Sequence, residues 1–274
     1  MVSTMTLIAC FLTLFVCLLL PIIAISVLSF RYKGGKLVSA WLLGAAGFVV
    51  TQLLIRVPIL TAMQNQPWFV GFSENHGFLF AFALAFTAGL FELAGRFVVA
   101  KLMQKNLNYN RALAAGLGHG GIEAMILIGI TYLNNILYIF MINNGTFDAV
   151  VGEAVAAGVD VSALMLLKDQ LIASSPVLFL LAGFERLLAM TGHAAMSMIV
   201  CYGVAHKKVL PCILICLGIH TLMDLTAGIS LALPQAIAYP IIYAILIVMA
   251  VVSLYVIRAI SRRWKKEVSH DSEE

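Results

Sequence analysis

A chain of 274 residues that is 62% hydrophobic and 11% charged, with a mean hydropathy of +1.02, is not a water-soluble globular domain. Soluble domains carry about 25% charged and 45–50% apolar residues. The formal charge of +4 does not point to nucleic acid, because the basic residues sit in short clusters between apolar runs, a pattern that reports membrane topology.

The first apolar run, about 5–30, has no basic segment before it and exceeds the roughly 7–15 residues of a signal-peptide core, so it is expected to remain as a span. Further runs long enough to cross a bilayer follow at about 37–60, 77–101, 112–142, 171–205, 209–233 and 235–260, making seven. The reading is therefore all-α: one polytopic membrane domain over 1–274, with core spans at about 77–233 and a tail at 262–274. Arg56, near the end of the second span, is expected to snorkel. Run 171–205 would extend about 50 Å as one helix, so Pro176 is expected to mark a break. Segment 150–170 reads as an interfacial helix, a lid over the outer face or a partial eighth span. The tail is expected to be disordered.

Basic residues alternate between loops. Arg31, Lys33 and Lys36 follow span 1; Lys101, Lys105 and Arg111 follow span 3; Lys207 and Lys208 follow span 5; Arg258, Arg262, Arg263, Lys265 and Lys266 follow span 7. The intervening loops are poor in Lys and Arg, which predicts an N-terminus outside and a C-terminus in the cytoplasm. The five cysteines lie in apolar stretches without C-x-x-C spacing and read as small core residues. Trp41, Trp68 and Tyr239 read as packing and interface anchors, and His76, His206 and His270 as solvated.

The informative residues are ionisable groups inside spans: Glu92 and Arg96 in span 3, His119 and Glu123 in span 4, Glu185, Arg186 and His193 in span 5, His220 and Asp224 in span 6. Six charges at mid-depth would cost roughly 15–20 kcal/mol if unpaired. Counted from the flanking cytoplasmic charges at 1.5 Å per residue, His119, Glu123, His193 and His220 fall at roughly 12–21 Å and share one layer. Small residues beside each polar pair, such as Gly116 and Gly120, let backbones approach. Glu92 can pair with Arg96 one turn on, and such a pair is more often structural than catalytic. Glu185 and Arg186 can likewise lock span 5. The carboxylates and three imidazoles that remain suit a bound dication such as zinc, with His119, His193 and His220 as ligands. His119-x-x-x-Glu123 and His220-x-x-x-Asp224 each set two donors one helical turn apart.

These segments, Glu92-Leu-Ala-Gly-Arg96, Gly118-His119-Gly-Gly-Ile-Glu123-Ala124, Glu185-Arg186 with His193, and His220-Thr-Leu-Met-Asp224, resemble the YhfC family of bacterial intramembrane metalloproteases. The likeness runs from about 35 to 260. That family is similar to the CAAX-processing, bacteriocin-processing and PrsW membrane proteases, whose motifs combine a Glu-bearing helix with an Arg, a helix with a catalytic His, and an H-x-x-x-N or H-x-x-x-D helix. Phe91 stands where that pattern has a second adjacent Glu, and Ala189 where it has a Phe before the His.

The resemblance implies hydrolysis of peptide bonds in membrane peptides or proteins, in the plasma membrane of a bacterium. In the favoured reading, Glu123 is the general base on a water held at His119, His193 and His220, with Asp224 orienting or supplementing a ligand and Glu92, Glu185, Arg96 and Arg186 as further candidates. A metal-free, glutamate-dependent variant fits the same residues. A proton- or ion-coupled transporter and a non-catalytic scaffold are the alternatives from other classes.

Overall fold

The computed structural model describes residues 1–32 and 36–271. Lys33, residues 272–274 of the tail and the His270 side chain lie outside the described set. Seven helices there are long and apolar enough to cross a membrane, and no strand occurs among the described residues. They are α1 (Thr4–Arg31), α2 (Leu37–Met63), α4 (Gly77–Leu102), α5 (Tyr109–Asn144), α8 (Pro176–Ala205), α9 (Val209–Ala232) and α10 (Gln235–Asp271). Three shorter helices, α3 (Pro67–Asn75), α6 (Phe147–Ala156) and α7 (Ser162–Ala173), stand between them. The chain is thus a polytopic helical bundle.

The ends of several helices follow from single residues. Pro176 opens α8 and separates it from α7, because a proline has no N–H to continue a helix but suits a first turn. Segment 150–170 forms parts of α6 and α7, joined through Gly158 at φ +75°. At 10 and 12 residues they reach about 15 and 18 Å, too short for an eighth span. Asp160 starts α7 by accepting from Ser162 N at 2.9 Å and Ser162 Oγ at 2.5 Å. Those bonds hold its carboxyl below the usual carboxylate range.

Two compact units make up the chain, one from Met1–Pro21 and Ala124–Leu187, the other from Ile22–Glu123 and Leu188–Glu274. The first has a core of Ala9, Cys10, Tyr132, Ile139, Leu171 and Phe179. Within it Thr13 Oγ1 and Tyr132 Oη both donate to Phe179 O, at 2.6 and 3.1 Å. Lys168 and Asp148 pair at 2.5 Å between α7 and α6; with Asp148 exposed, that pair contributes little.

The second unit is held together by close backbone crossings. A Cβ on Gly118 of α5 would lie 1.9 Å from Trp41 O of α2, and one on Gly44 would lie 1.9 Å from Ala115 O. Any side chain there drives α2 and α5 apart, so the two glycines set how near α5 can bring its polar residues. Gly120 and Gly116 allow the same approach to α8, since added Cβ atoms would meet His193 Cβ and Ala194 Cα at 2.8 and 2.7 Å. Buried Met196, Met198, Val200, Cys201 and Val204 of α8 then fill the core.

Three expectations need correction. Arg56 does not snorkel: it lies a full two turns before the end of α2, and its guanidinium turns inward to bond Leu84 O at 2.7 Å. His206 is half-buried rather than solvated, stacked on Tyr202 with ring centroids 3.9 Å apart and its Nδ1 bonded to Tyr202 O. The tail is helical through Asp271 rather than disordered from 262, because Trp264 is buried edge-on against Tyr202 and anchors the extra turns.

Candidate functional site

Four spans bring ionisable residues of the second unit into one layer, buried except for the half-buried Asp224. α4 supplies Glu92 and Arg96, α5 supplies His119 and Glu123, α8 supplies His193, and α9 supplies His220 and Asp224. Each pair on one helix is four residues apart, which stacks both side chains on one face. Glu92, Arg96, His119, His193 and His220 are each 3% exposed or less.

The cluster converges on Glu92. Its Oε2 lies 2.9 Å from His119 Nε2, 2.8 Å from His220 Nε2, 3.2 Å from Arg96 Nη2 and 3.7 Å from His193 Nδ1. Its other oxygen, Oε1, accepts from Gln52 Nε2 at 3.0 Å. An ionised carboxylate only accepts, so both Nε2 atoms carry protons in this arrangement. Arg96 also reaches His193 Nδ1, at 2.5 Å. A guanidinium only donates, which assigns Nδ1 as the acceptor and puts the His193 proton on Nε2, 2.8 Å from Glu123 Oε2. His220 Nδ1 faces Asp224 Oδ2 at 3.3 Å. Phe48 closes one side, edge-on to His119 at 5.4 Å.

Of the residues selected from sequence, Glu92, Arg96, His119, Glu123, His193, His220 and Asp224 meet in this one network. The i,i+4 pairing of Glu92 with Arg96 is present, yet it does not withdraw Glu92 from the cluster; the same oxygen serves two imidazoles. Glu185 and Arg186 belong to the first unit and pair with each other. Gln52 is the residue that sequence reasoning passed over, and Arg56 is the one it placed at the interface instead of the site. The available signal was a polar pair at i,i+4 inside an apolar span.

The donor set suits a divalent cation. One carboxylate oxygen and one nitrogen each from His119 and His193 lie within 4.8 Å of one another, all three residues buried. Imidazole and carboxylate are zinc ligands, and catalytic zinc commonly takes three of them. Three carboxylates, Glu92, Glu123 and Asp224, stand against two guanidiniums, Arg96 and Arg56, so with neutral imidazoles the cluster carries one net negative charge. An added cation would offset the excess negative charge.

Comparison with known proteins agrees with this chemistry. The chain is 27% identical over 199 residues to "Uncharacterized membrane protein YhfC" of Bacillus subtilis (strain 168), covering 72% of this chain and 75% of that protein. No solved structure matches it. The profile of the YhfC intramembrane metalloprotease family matches residues 16–249, which takes in every residue of the cluster, and the chain belongs to that family.

Proposed function

We propose that this protein is a membrane metallopeptidase that hydrolyses peptide bonds of membrane or membrane-associated substrates. The observation that carries the reading is the convergence of His119, His220, Arg96 and, slightly further off, His193 on one buried carboxylate oxygen of Glu92. Glu92, His119 and His193 would hold the metal, with His119 giving up its Nε2–H bond to Glu92 and His193 Nδ1 its bond from Arg96, and with His220 bridging Glu92 to Asp224. A bound metal polarises a carbonyl and lowers the pKa of its water.

The chain's own groups have distinct tasks. Glu92 is committed to Arg96, Gln52 and the imidazoles, which leaves Glu123 as the carboxylate to take the proton of the attacking water. The water oxygen bonds to the peptide carbonyl carbon, and the proton passes from Glu123 to the leaving nitrogen as the C–N bond breaks. His193 Nε2 stands 2.8 Å from Glu123 Oε2, beside the proton it would carry. Arg96 supplies fixed positive charge near a developing oxyanion. An apolar cavity of about 440 Å³ between α4, α9 and α10, lined by Phe78, Ala81, Leu225, Thr226, Ile229 and Ile245, suits an apolar peptide segment.

Purified protein should contain about one zinc-like ion per chain by elemental analysis, and a chelator should abolish cleavage of a membrane peptide library, with added zinc restoring it. A metal-free preparation with full, chelator-resistant cleavage would replace this mechanism with a glutamate-dependent one. Metal with no cleavage but selective ion flux in vesicles would favour a transporter.

The loop charges support an orientation with the N-terminus outside and the C-terminus in the cytoplasm of the plasma membrane. Single cysteines near Lys105 should then resist an impermeant thiol reagent in whole cells, while one at Asp160 reacts. Equal labelling at both would overturn that orientation.

A further inference from the structure

Gln52 is a neutral residue buried among charged ones, and its amide contacts the one Glu92 oxygen that the imidazoles and Arg96 do not use. A carboxylate turns readily about its last torsion. A donor fixed on Oε1 holds that turn and presents Oε2 to His119 and His220. Which way the Gln52 amide faces is itself determined. Arg56 Nη1 lies 3.5 Å from Gln52 Oε1, and a guanidinium only donates, so the amide oxygen faces Arg56 and the nitrogen faces Glu92.

Arg56 is anchored in turn on the helix that carries Glu92. Its Nη2 donates to Leu84 O at 2.7 Å, and its Nε and Nη2 reach Thr87 Oγ1 at 3.4 and 3.3 Å. Thr87 donates onward to Ala83 O at 2.7 Å. The local fold of α2 sets both residues toward α4. Val49–Arg56 is a π-helical stretch ending two residues before Pro58, whose missing N–H relaxes the preceding turn. π segments of this kind recur at functional sites.

We propose that Gln52 is a positioning residue for the Glu92 carboxylate, kept in its working orientation by Arg56, and that this pair sets the metal affinity of the cluster without supplying a ligand. The proposal rests on the metal reading above for its affinity claim, but the Gln52–Glu92 link stands on geometry alone.

The test uses full-length protein in detergent and zinc alone as probe, with affinity read by competition against a chromophoric chelator. Gln52→Met keeps the volume and removes the donor. It should bind zinc about 10–100-fold more weakly, the usual effect of losing a group that orients a ligand. Thr51→Val, one residue away with its hydroxyl bonded to Gly47 O, is the packing control and should bind like wild type. Should Gln52→Met not fold, Arg56→Lys removes the bifurcated anchor more gently and should weaken zinc binding in the same direction. Wild-type affinity in both variants overturns the proposal. If wild type itself binds no zinc, the metal reading falls on its own, and the link is decided by melting the single and double variants of Gln52→Met and Glu92→Gln. Shifts that fail to add support it, and additive shifts overturn it.

Discussion

Glu92→Gln should lose the bound metal, lose peptide cleavage to below about 1% of wild type, and melt at a lower temperature. The carboxylate oxygen shared by His119 Nε2, His220 Nε2 and Arg96 Nη2 becomes half of a neutral amide. The amide nitrogen must then face either Gln52 Nε2, a donor, or those same three donors, so one side of the new group meets N–H against N–H. Arg96, 3% exposed, is left without its counter-charge, and stranding a buried charge in this way costs about 3–5 kcal/mol. Elemental analysis, a cleavage assay and a thermal melt read the three effects separately. Glu92→Asp distinguishes charge from geometry: it keeps Arg96 compensated but withdraws the oxygen by one methylene, so stability should largely return while metal affinity does not. Full metal content and activity in Glu92→Gln would move the centre of the site to Glu123.

The sequence made the bundle legible because hydropathy acts over whole spans. Twenty apolar residues must be helical in lipid, and Pro176 and the alternating basic loops punctuate them. Short elements left weaker traces. α3 sits in a loop-like stretch with only Glu74 charged, and its nine residues carry no long-range period. The tail continues as helix because of one tertiary anchor, Trp264, which no local pattern reveals.

The site was legible as a set of residues and not as a network. Depth counting along each helix groups His119, Glu123, His193 and His220 in one layer, since 1.5 Å per residue is a property of the backbone alone. Which carboxylate stands at the middle depends on how α4 and α5 are rotated about their axes. Pairing Glu92 with Arg96 by the i,i+4 rule is correct on one helix, yet it hides that Oε2 also faces α5 and α9. Gln52 escaped notice because a search for charges in apolar spans does not register an amide. Arg56 was assigned to the interface because the apolar run fades there, whereas the helix runs on to Met63 and the guanidinium finds carbonyl and hydroxyl acceptors on α4.

Glu123→Gln should separate catalysis from metal holding. Glu123 lies one helical turn from His119 and contacts His193 Nε2 at 2.8 Å, while the donors nearest Glu92 do not include it. Glutamine has the same shape and sets its amide oxygen where Oε2 stands beside His193 Nε2, so the ring keeps its place and its ability to hold the metal. What disappears is a group able to take a proton from water and return it to the leaving nitrogen. Removal of a positioned general base lowers rates by about 10²–10⁴. Cleavage should therefore fall by about 10² or more, chiefly in kcat, with zinc content and melting temperature close to wild type. Glu92→Gln gives the opposite pattern, because there the metal goes first. If Glu123→Gln instead loses its metal, Glu123 is a ligand, and if it keeps both metal and activity, the proton passes through Asp224, the remaining carboxylate in contact with an imidazole of the cluster.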